Sequence, residues 1–291
     1  MDESFDAALA PLTTMRVGGP AARLVTVTTT DELVDAVREV DDADEPLLVL
    51  SGGSNVVIAD AGFPGTVVRV ASSGVSVESQ DSCSGATVRV AAGEVWDEFV
   101  GRAVAEGWAG VEALSGIPGT VGSTPVQNVG AYGQEVADTI AQVRVWDRHT
   151  QAVRTLAAAD CAFAYRNSAL KRSGGRYVVL DVVFQLRLGE LSEPIGYADL
   201  AGQLGVVEGE RVPLAAAREA VLAQRRRRGM VLDPADHDTW SCGSFFTNPL
   251  VPTSHVERIR SAVAEQRGSE HADRMPAWPG AGDHVKLSAA W

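Results

Sequence analysis

The sequence predicts an α+β fold, in which helices and strands follow one another without the strict alternation of a parallel α/β protein. Two observations support this prediction. The chain opens with a strand, a helix and a second strand, whereas strand-like segments dominate from about residue 67 onwards. The chain shows no internal repeat.

The opening elements follow from local patterns. The segment "ARLVTVTT" reads as a strand. Thr29-x-x-Glu32 predicts a capping box at the start of a helix, whose apolar residues from Leu33 to Val40 carry helical spacing. "PLLVL" at 46–50 then predicts a short buried strand that ends in the glycine turn "SGGSN".

The later elements are predicted in the same way. "TVVRVA", "VSVES" and "ATVRVAA" indicate strands, and residues 95–106 indicate a helix ending near Gly107. "AQVRVWD" and "AVRTLA" predict a hairpin around "RHTQ", followed by a long strand over 176–188. A helix over 213–228 ends in four arginines, and Ser254-x-x-Glu257 predicts the cap of a last helix through about residue 266.

Composition limits the classes of function. The chain has 291 residues, of which 45% are hydrophobic, and a net charge of -13, which argues against nucleic acid as the main partner. No apolar window is long enough to span a membrane. The acidic N-terminus argues against a secretory signal. Three distant cysteines indicate no disulfide framework, so we expect a cytoplasmic protein.

The run "GIPGTVGSTPVQNVGAYG" at 116–133 is the most unusual stretch of the chain. Glycine lets a backbone approach a ligand closely, and successive N–H groups in such turns bind anions. Gln127 and Asn128 add side-chain donors and acceptors. Together with "SGGSN" at 51–55, the run predicts a cradle for the diphosphate and ring of a large nucleotide cofactor. The alternative is a plain connecting loop.

Two further residues are chemical candidates. Ser244 of "GSFF" either caps a turn or donates a proton, and the second role requires a very basic partner. Arg166 of "AYRNS" either clamps a carboxylate or forms a surface ion pair. The histidines have no metal-binding spacing, so no metal site is predicted.

Six segments, in order and spacing, resemble the UDP-N-acetylenolpyruvoylglucosamine reductase (MurB) family. They are "TTMRVGGPA", "LSGGSNVVIAD", "GIPGTVGSTPVQNVGAYGQE", "FAYRNSALK", "MVLDPADHDTWSCGSFFTNP" and "HVKLSAAW". The resemblance implies an FAD-binding domain of the PCMH/vanillyl-alcohol-oxidase type in two subdomains, followed by a C-terminal substrate-binding α+β domain. The implied bounds are 1–70, 71–228 and 229–291.

The resemblance also implies an activity. NADPH reduces FAD, and UDP-N-acetylglucosamine enolpyruvate is then reduced to UDP-N-acetylmuramate for peptidoglycan precursor synthesis. Ser244 is implied as the proton donor to a strongly basic intermediate, and Arg166 as the residue that stabilises the enolic carboxylate. The expected partner is a small UDP-sugar, with no nucleic acid and no membrane insertion, and the chain is expected to be monomeric.

The remaining implied site residues fall into two groups. Substrate binding is implied for Tyr165, Tyr197, Asn248, Trp278 and Lys286. FAD binding is implied for the two glycine segments, namely Ser51, Gly52, Gly53, Ser54, Asn55, Gly116, Ile117, Pro118, Gly119, Gly122, Ser123, Gln127, Asn128, Gly130, Ala131, Tyr132 and Gly133.

The sequence departs from the family pattern in two places. Trp278 stands where better-known members carry a tyrosine, which has the hydroxyl that tryptophan lacks. Family members also continue past "VKLSAAW" into a segment with a catalytic glutamate, so the resemblance implies an incomplete substrate domain and little or no reductase activity for residues 1–291 alone.

Two alternatives stay open at this point. One is another FAD-dependent sugar or alcohol oxidase, which leaves "GSFFTNP" with Arg166 and Lys286 unexplained. The other is a non-catalytic flavin-binding remnant.

Overall fold

The computed structural model describes residues 1–291, and its contacts divide the chain into two compact units. Unit 1 is Met1–Gly243 and unit 2 is Ser244–Trp291. No helix of either unit combines the length and the apolar character that crossing a bilayer requires.

The first elements of unit 1 are β1 (Asp2–Ala8), β2 (Pro20–Val27), helix α1 (Thr30–Asp42), β3 (Leu47–Leu50) and β4 (Phe63–Val70). The four strands form the first sheet, in the order β1-β2-β4-β3. β4 is parallel to both β2 and β3, whereas β1 is antiparallel to β2. The predicted strand–helix–strand opening is confirmed, and β1 is a strand that sequence patterns did not reveal.

The capping box predicted at the start of helix α1 is only half present. The Thr29 side chain accepts a hydrogen bond from the Glu32 N–H at 3.2 Å, as the capping box requires. The Glu32 carboxylate, however, accepts from the Thr28 N–H at 2.8 Å rather than from that of Thr29, so the second half of the predicted box is wrong. Leu33 and Val37 are buried on the face toward the sheet.

The next elements of unit 1 are β5 (Val75–Asp81), β6 (Gly85–Ala91), α2 (Trp96–Ala105), β7 (Trp108–Ala109), β8 (Gly130–Ala131), β9 (Gln134–Glu135), β10 (Ile140–Asp147), β11 (Ala152–Ala157), α3 (Ala169–Arg172) and β12 (Tyr177–Leu188). The second sheet is antiparallel, with its strands in the order β11-β10-β12-β6-β5 and β7 paired to β12. The predicted hairpin around "RHTQ" and the predicted long strand are both confirmed.

One apolar core joins the two sheets of unit 1, and helix α2 packs into it. Trp96 and Phe99 of α2 lie 6.0 and 4.9 Å, ring centre to ring centre, from Phe184 of β12. Burying three aromatic side chains in one cluster contributes several kcal/mol, at about 25 cal/mol per Å² of apolar surface. The start of α2 is thereby fixed against the sheet.

Two helices complete unit 1, α4 (Ala198–Leu204) and α5 (Leu214–Arg227). They pack on each other through a second apolar cluster that includes Leu200 and Val221. The predicted helix over 213–228 is confirmed.

Unit 2 is a small sheet covered by helices. Its elements are β13 (Leu250–Pro252), α6 (Thr253–Arg267), α7 (Ser269–Asp273), β14 (Ala277–Pro279) and β15 (His284–Leu287), with antiparallel strands in the order β13-β15-β14. Val256, Met275 and Leu287 form its core. The predicted last helix exists, but its cap is wrong. Pro252 precedes its first turn and no side chain caps it, because Ser254 already lies inside the helix.

The sheets divide unit 1 near residue 70, since the first sheet ends at Val70 and the second begins at Val75. The compact units part between Gly243 and Ser244. The domain bounds 1–70, 71–228 and 229–291 remain a prediction.

Candidate functional site

The two glycine segments predicted to form a cradle lie against each other in unit 1. A Cβ atom on Gly52 would lie 2.6 Å from the Cα atom of Gly119. The Ser54 hydroxyl donates to the Pro118 carbonyl at 3.1 Å. The Asn55 amide donates to the Gln127 side-chain oxygen, also at 3.1 Å.

A further hydrogen bond between the two glycine segments joins the hydroxyls of Ser51 and Thr120. Segment 51–55 follows β3 of the first sheet, whereas run 116–133 follows β7, which pairs with β12 of the second sheet, so the site lies where the two sheets of unit 1 meet.

Packing within the protein explains several of the glycines. Gly53 has φ +63, and a Cβ atom there would lie 2.0 Å from the Leu12 carbonyl oxygen. A Cβ atom on Gly122 would lie 2.6 Å from the Cβ atom of Ala92. Contacts this short cannot be relieved by small shifts, so the backbone itself requires glycine at these positions.

The middle of the run is anchored by backbone hydrogen bonds to the second sheet and to α2. The Gly122 N–H donates to the Ala92 carbonyl at 2.8 Å, and the Val121 N–H donates to the Glu94 carbonyl at 2.9 Å. The Trp96 N–H donates to the Gly119 carbonyl at 3.1 Å. Because Trp96 is itself fixed in the core, the run has a defined position.

Segment 51–55 has the donors that an anionic group needs. The Gly53 carbonyl accepts from the Thr14 N–H at 3.1 Å, which orients this turn. The backbone N–H groups of Gly52, Gly53, Ser54 and Asn55 donate no hydrogen bond to any protein acceptor. Successive N–H groups at a turn form an anion-binding concavity. These residues therefore fit the diphosphate of a dinucleotide such as FAD.

Arg166 is bound to the glycine run. Its guanidinium donates to the Asn128 carbonyl at 3.1 Å and to the Gly130 carbonyl at 2.5 Å. Its carbonyl accepts from the Lys171 ammonium at 3.1 Å, and its guanidinium carbon lies 5.6 Å from the Tyr165 ring centre. The alternative of a surface ion pair is wrong, because the Arg166 guanidinium is bonded to carbonyl oxygens rather than to a carboxylate.

Arg166 also has a strained backbone. Ala164 and Asn167 exchange two backbone hydrogen bonds of 3.0 Å, and this tight turn leaves Arg166 at φ +51. Asn128 and Tyr132 of the run are likewise left-handed, at φ +48 and +50. Such conformations cost about 1 kcal/mol or more for residues other than glycine and concentrate at functional sites.

The side chain of Asn128 is used within the protein. Its amide donates to the Glu135 carboxylate at 2.6 Å and to the Ala164 carbonyl at 3.2 Å, and its oxygen accepts from the Ala137 N–H at 3.2 Å. Asn128 therefore holds the shape of the run. Next to it, β8 and β9 form a short hairpin whose turn residues, Tyr132 and Gly133, both have positive φ. This pattern is typical of a type I′ turn.

Asp97 anchors the start of the run, and no sequence pattern indicated it. Its carboxylate accepts from the Gly116 N–H at 2.6 Å and from the Arg218 guanidinium at 2.7 and 2.9 Å. Burial by itself raises the pKa of Asp97, but the hydrogen bonds from Arg218 and Gly116 outweigh it and leave the pKa below its ordinary value. Asp97 is therefore a carboxylate at neutral pH.

Tyr132, which is predicted to bind FAD, lies close to Tyr197, which is predicted to bind the substrate. Their ring centres are 5.9 Å apart in an edge-to-face arrangement. Tyr132 also lines a cavity of about 410 Å³ with Ile195 and Leu200. The buried Glu112 carboxylate on its wall accepts from three donors of the protein, the N–H groups of Gly110 and Glu193 and the Gln134 amide.

The remaining predicted residues belong to unit 2. Trp278 of β14 lies directly opposite Lys286 of β15, and the Lys286 ammonium is 5.6 Å from the Trp278 ring centre. The Asn248 side chain accepts from the Ala289 N–H at 3.0 Å. Ser244 is exposed, next to the edge-to-face pair Phe245 and Phe246.

Unit 1 thus brings together the two glycine segments, Arg166, Tyr165, Tyr132 and Tyr197. Sequence reasoning missed Asp97, Arg218 and Thr120, whose roles depend on contacts between distant segments. The sequence showed only that these three residues lie within the predicted helices or the glycine run.

Comparisons with known proteins agree with this geometry. Residues 21–156 match the family model of an FAD binding domain. The chain is 56% identical over 286 residues to the UDP-N-acetylenolpyruvoylglucosamine reductase of Cutibacterium acnes, covering 98% of this chain and 72% of that protein. It is 55% identical over 283 residues to the protein of the same name from Thermobifida fusca, covering 97% of this chain and 78% of that protein.

A solved structure shows the same likeness. The UDP-N-acetylenolpyruvylglucosamine reductase (MurB) of Thermus caldophilus superposes with a TM-score of 0.58 at 28% identity, over 85% of this chain and 74% of that chain. The predicted α+β fold with an FAD-binding domain is confirmed. Relatives more than half identical over nearly the whole chain show that this protein belongs to the UDP-N-acetylenolpyruvoylglucosamine reductase (MurB) family, whose members are FAD-dependent oxidoreductases.

Proposed function

We propose that the protein catalyses the NADPH-dependent, FAD-mediated reduction of UDP-N-acetylglucosamine enolpyruvate to UDP-N-acetylmuramate. The observation that carries this proposal is the direct contact between Gly52 and Gly119 beside a row of N–H groups without protein acceptors, in a chain whose relatives bear the name of this reductase. The product serves peptidoglycan synthesis, and with it cell shape and division.

FAD fits the cradle, and when bound it supplies hydride chemistry that protein side chains lack. In this proposal the N–H groups of Gly52 to Asn55 bind its diphosphate. The run 116–133, fixed by Trp96 and Asp97, positions its ring. Both segments are held by protein hydrogen bonds, so the cradle is preorganised rather than formed by the ligand.

Arg166 is proposed to bind the substrate carboxylate, where negative charge develops. Two of its N–H groups are used by the carbonyls of Asn128 and Gly130, which fix the plane of the guanidinium. The other N–H groups remain for the ligand. A fixed donor aimed at developing charge is worth about 3–4 kcal/mol.

Ser244 is proposed to donate the proton that completes the reduction. Its hydroxyl is a weak acid, so the step requires the strongly basic carbon of an enolate. The exposed position of Ser244 leaves the hydroxyl accessible to a ligand.

The UDP-sugar is proposed to contact Tyr165, Tyr197, Asn248, Trp278 and Lys286. Lys286 supplies positive charge for an anionic group, and its pairing with Trp278 holds the ammonium in place. Asn248 acts partly by fixing the chain after β15. We further propose that the protein is cytoplasmic, since the cysteines Cys83, Cys161 and Cys242 are all free thiols, and that it is a monomer.

Anaerobic half-reactions test the proposal. The purified protein should contain one FAD, its flavin absorption should bleach on addition of NADPH, and it should return on addition of UDP-N-acetylglucosamine enolpyruvate. UDP-N-acetylglucosamine, which lacks the enolpyruvyl double bond, is the matched control and should leave the flavin reduced. Reoxidation by oxygen alone, with bleaching by a sugar or alcohol, would favour an oxidase and contradict the proposal.

A further inference from the structure

The four consecutive arginines at the end of α5 have different environments. Arg226, Arg227 and Arg228 are exposed, whereas Arg225 is partly buried. The Nε atom of Arg225 is buried and has no hydrogen-bond partner. The only acceptor of its guanidinium is the Met230 carbonyl, at 3.0 Å from Nη2.

Arg225 lies beside the first glycine of the run. A Cβ atom on Gly116 would lie 2.8 Å from Leu222 Cδ2, 3.0 Å from Val231 Cγ2 and 3.4 Å from Arg225 Nε. A larger residue at position 116 would therefore clash with Leu222 and Val231, and its Cβ atom would be in van der Waals contact with Arg225 Nε. Gly116, at φ +71, thus packs directly beside the arginine.

The Asp97 carboxylate accepts no hydrogen bond from Arg225. Both oxygens of Asp97 are taken by Arg218, and one of them also accepts from the Gly116 N–H. Burial lowers the pKa of Arg225, and its electrostatic interactions with Tyr132 and Asp97 oppose this only in part. A partly buried cation without a hydrogen-bonded anion is costly for the folded protein, and an anionic ligand would offset that cost.

We infer that Arg225 is the residue that binds the diphosphate of a nucleotide at the start of the glycine run. This inference rests on the proposed function, which places FAD across segment 51–55 and the start of the run, where Gly119 contacts Gly52. FAD and a UDP-sugar both carry a diphosphate, so the same guanidinium chemistry suits either ligand.

A purely structural role is the competing explanation. Arg225 would then serve to cap the end of α5 through the Met230 carbonyl, and its removal would destabilise the flavin-free protein. The inference requires the opposite, because Met in place of Arg225 removes an unpaired buried charge and leaves an apolar side chain of similar length.

The test compares Arg225→Met and Arg225→Lys with Arg226→Met, which changes an exposed arginine on the same helical turn. FAD is titrated into each flavin-free protein, and UDP is titrated into each FAD-loaded protein. Arg225→Met should weaken one of the two ligands by about 10- to 100-fold. Arg225→Lys should recover part of this loss, and Arg226→Met should bind both ligands within about twofold of wild type. The affected ligand identifies the source of the diphosphate.

Thermal melting of the flavin-free proteins completes the test. Arg225→Met should melt no lower than Arg226→Met. Wild-type affinity of Arg225→Met for both ligands would overturn the inference and leave the proposed function intact. A melting temperature clearly below that of Arg226→Met would assign Arg225 a structural role and also overturn it. If the wild-type protein binds no FAD, the proposed function fails instead.

Discussion

Gly52 and Gly119 pack backbone against backbone, so closely that a Cβ atom on Gly52 would lie 2.6 Å from the Cα atom of Gly119. This contact joins the loop after β3 of the first sheet to the run after α2. Two segments far apart in the chain thereby form one surface, on which the N–H groups of Gly52 to Asn55 have no protein acceptor. The FAD-binding proposal depends on this contact.

We expect Gly119→Val or Gly122→Val to abolish flavin retention. Gly119 has φ +116, and its Cβ position lies 2.8 Å from the Ser54 hydroxyl oxygen, while that of Gly122 lies against Ala92. Valine at 119 must therefore separate the two loops, and valine at 122 must push the run away from Ala92, each at a cost of about 1–3 kcal/mol in unfolding free energy. The measurement is the flavin-to-protein absorbance ratio after purification.

Gly202→Ala is the control for these variants. Gly202 lies in α4 with open space around its Cβ position, so alanine should leave flavin retention unchanged and raise stability slightly. A Gly119→Val or Gly122→Val protein that stays fully yellow would show that these glycines do not shape the cradle.

Arg166→Met should affect both the run and the reaction. It leaves the Asn128 and Gly130 carbonyls without their donor, which should lower the unfolding free energy by about 1–3 kcal/mol. Reoxidation of the reduced flavin by the enolpyruvyl substrate should slow by about 10²–10³. Single-turnover absorbance measures the second effect. Arg172→Met, at an exposed arginine of α3, should change neither quantity, and an equally slow Arg172→Met protein would contradict the role of Arg166.

Asp97 predicts a pH dependence of stability. Its pKa in the folded protein is lower than in the unfolded chain, so its contribution is fully present above about pH 4 and is lost as the pH falls through the folded-state pKa. Asp97→Asn, which keeps the shape but not the charge, should cost about 1–3 kcal/mol at neutral pH. Urea unfolding of both proteins between pH 3 and 7 should show this difference shrinking on the acid side. A difference in unfolding free energy between the two proteins that stays constant or grows toward pH 3 would contradict this role of Asp97.

Lys286→Met should weaken UDP-sugar binding. The ammonium lies 5.6 Å from the Trp278 ring centre, and the methionine variant removes its charge while keeping an apolar chain. We expect an affinity about tenfold lower for UDP-N-acetylglucosamine, measured by calorimetry. Arg267→Met, at an exposed residue of α6, is the matched control, and equal losses in the two variants would indicate general charge effects rather than a site.

Much of the fold could be predicted because it is encoded locally. The spacing from Leu33 to Val40 and the alternation in "AQVRVWD" depend on helix and strand geometry alone, and both elements are confirmed. The first strand was missed, because "DESFDAA" is exposed over nearly its whole length and has no apolar face to detect. The predicted cap at Ser254 was wrong, because the helix begins one residue earlier at Thr253.

The sequence indicated the main residues of the candidate site but not the residues that hold them in place. The glycine segments and Arg166 stand out in the sequence, so their proximity could be anticipated. The pairing of Asp97 with Gly116 and Arg218 spans more than a hundred residues of chain, and no local pattern encodes it. Glycine is required at positions 53 and 122 for a reason that is also tertiary, because these residues pack against Leu12 and Ala92.

The most direct test of the FAD cradle is a comparison of FAD with riboflavin, titrated into the flavin-free protein and followed by flavin fluorescence. Only FAD carries the diphosphate that the N–H groups of Gly52 to Asn55 are proposed to bind. We predict that FAD binds with one site per chain and about 100-fold or more tighter than riboflavin. Equal affinity for the two flavins, or no binding of FAD, would contradict the account.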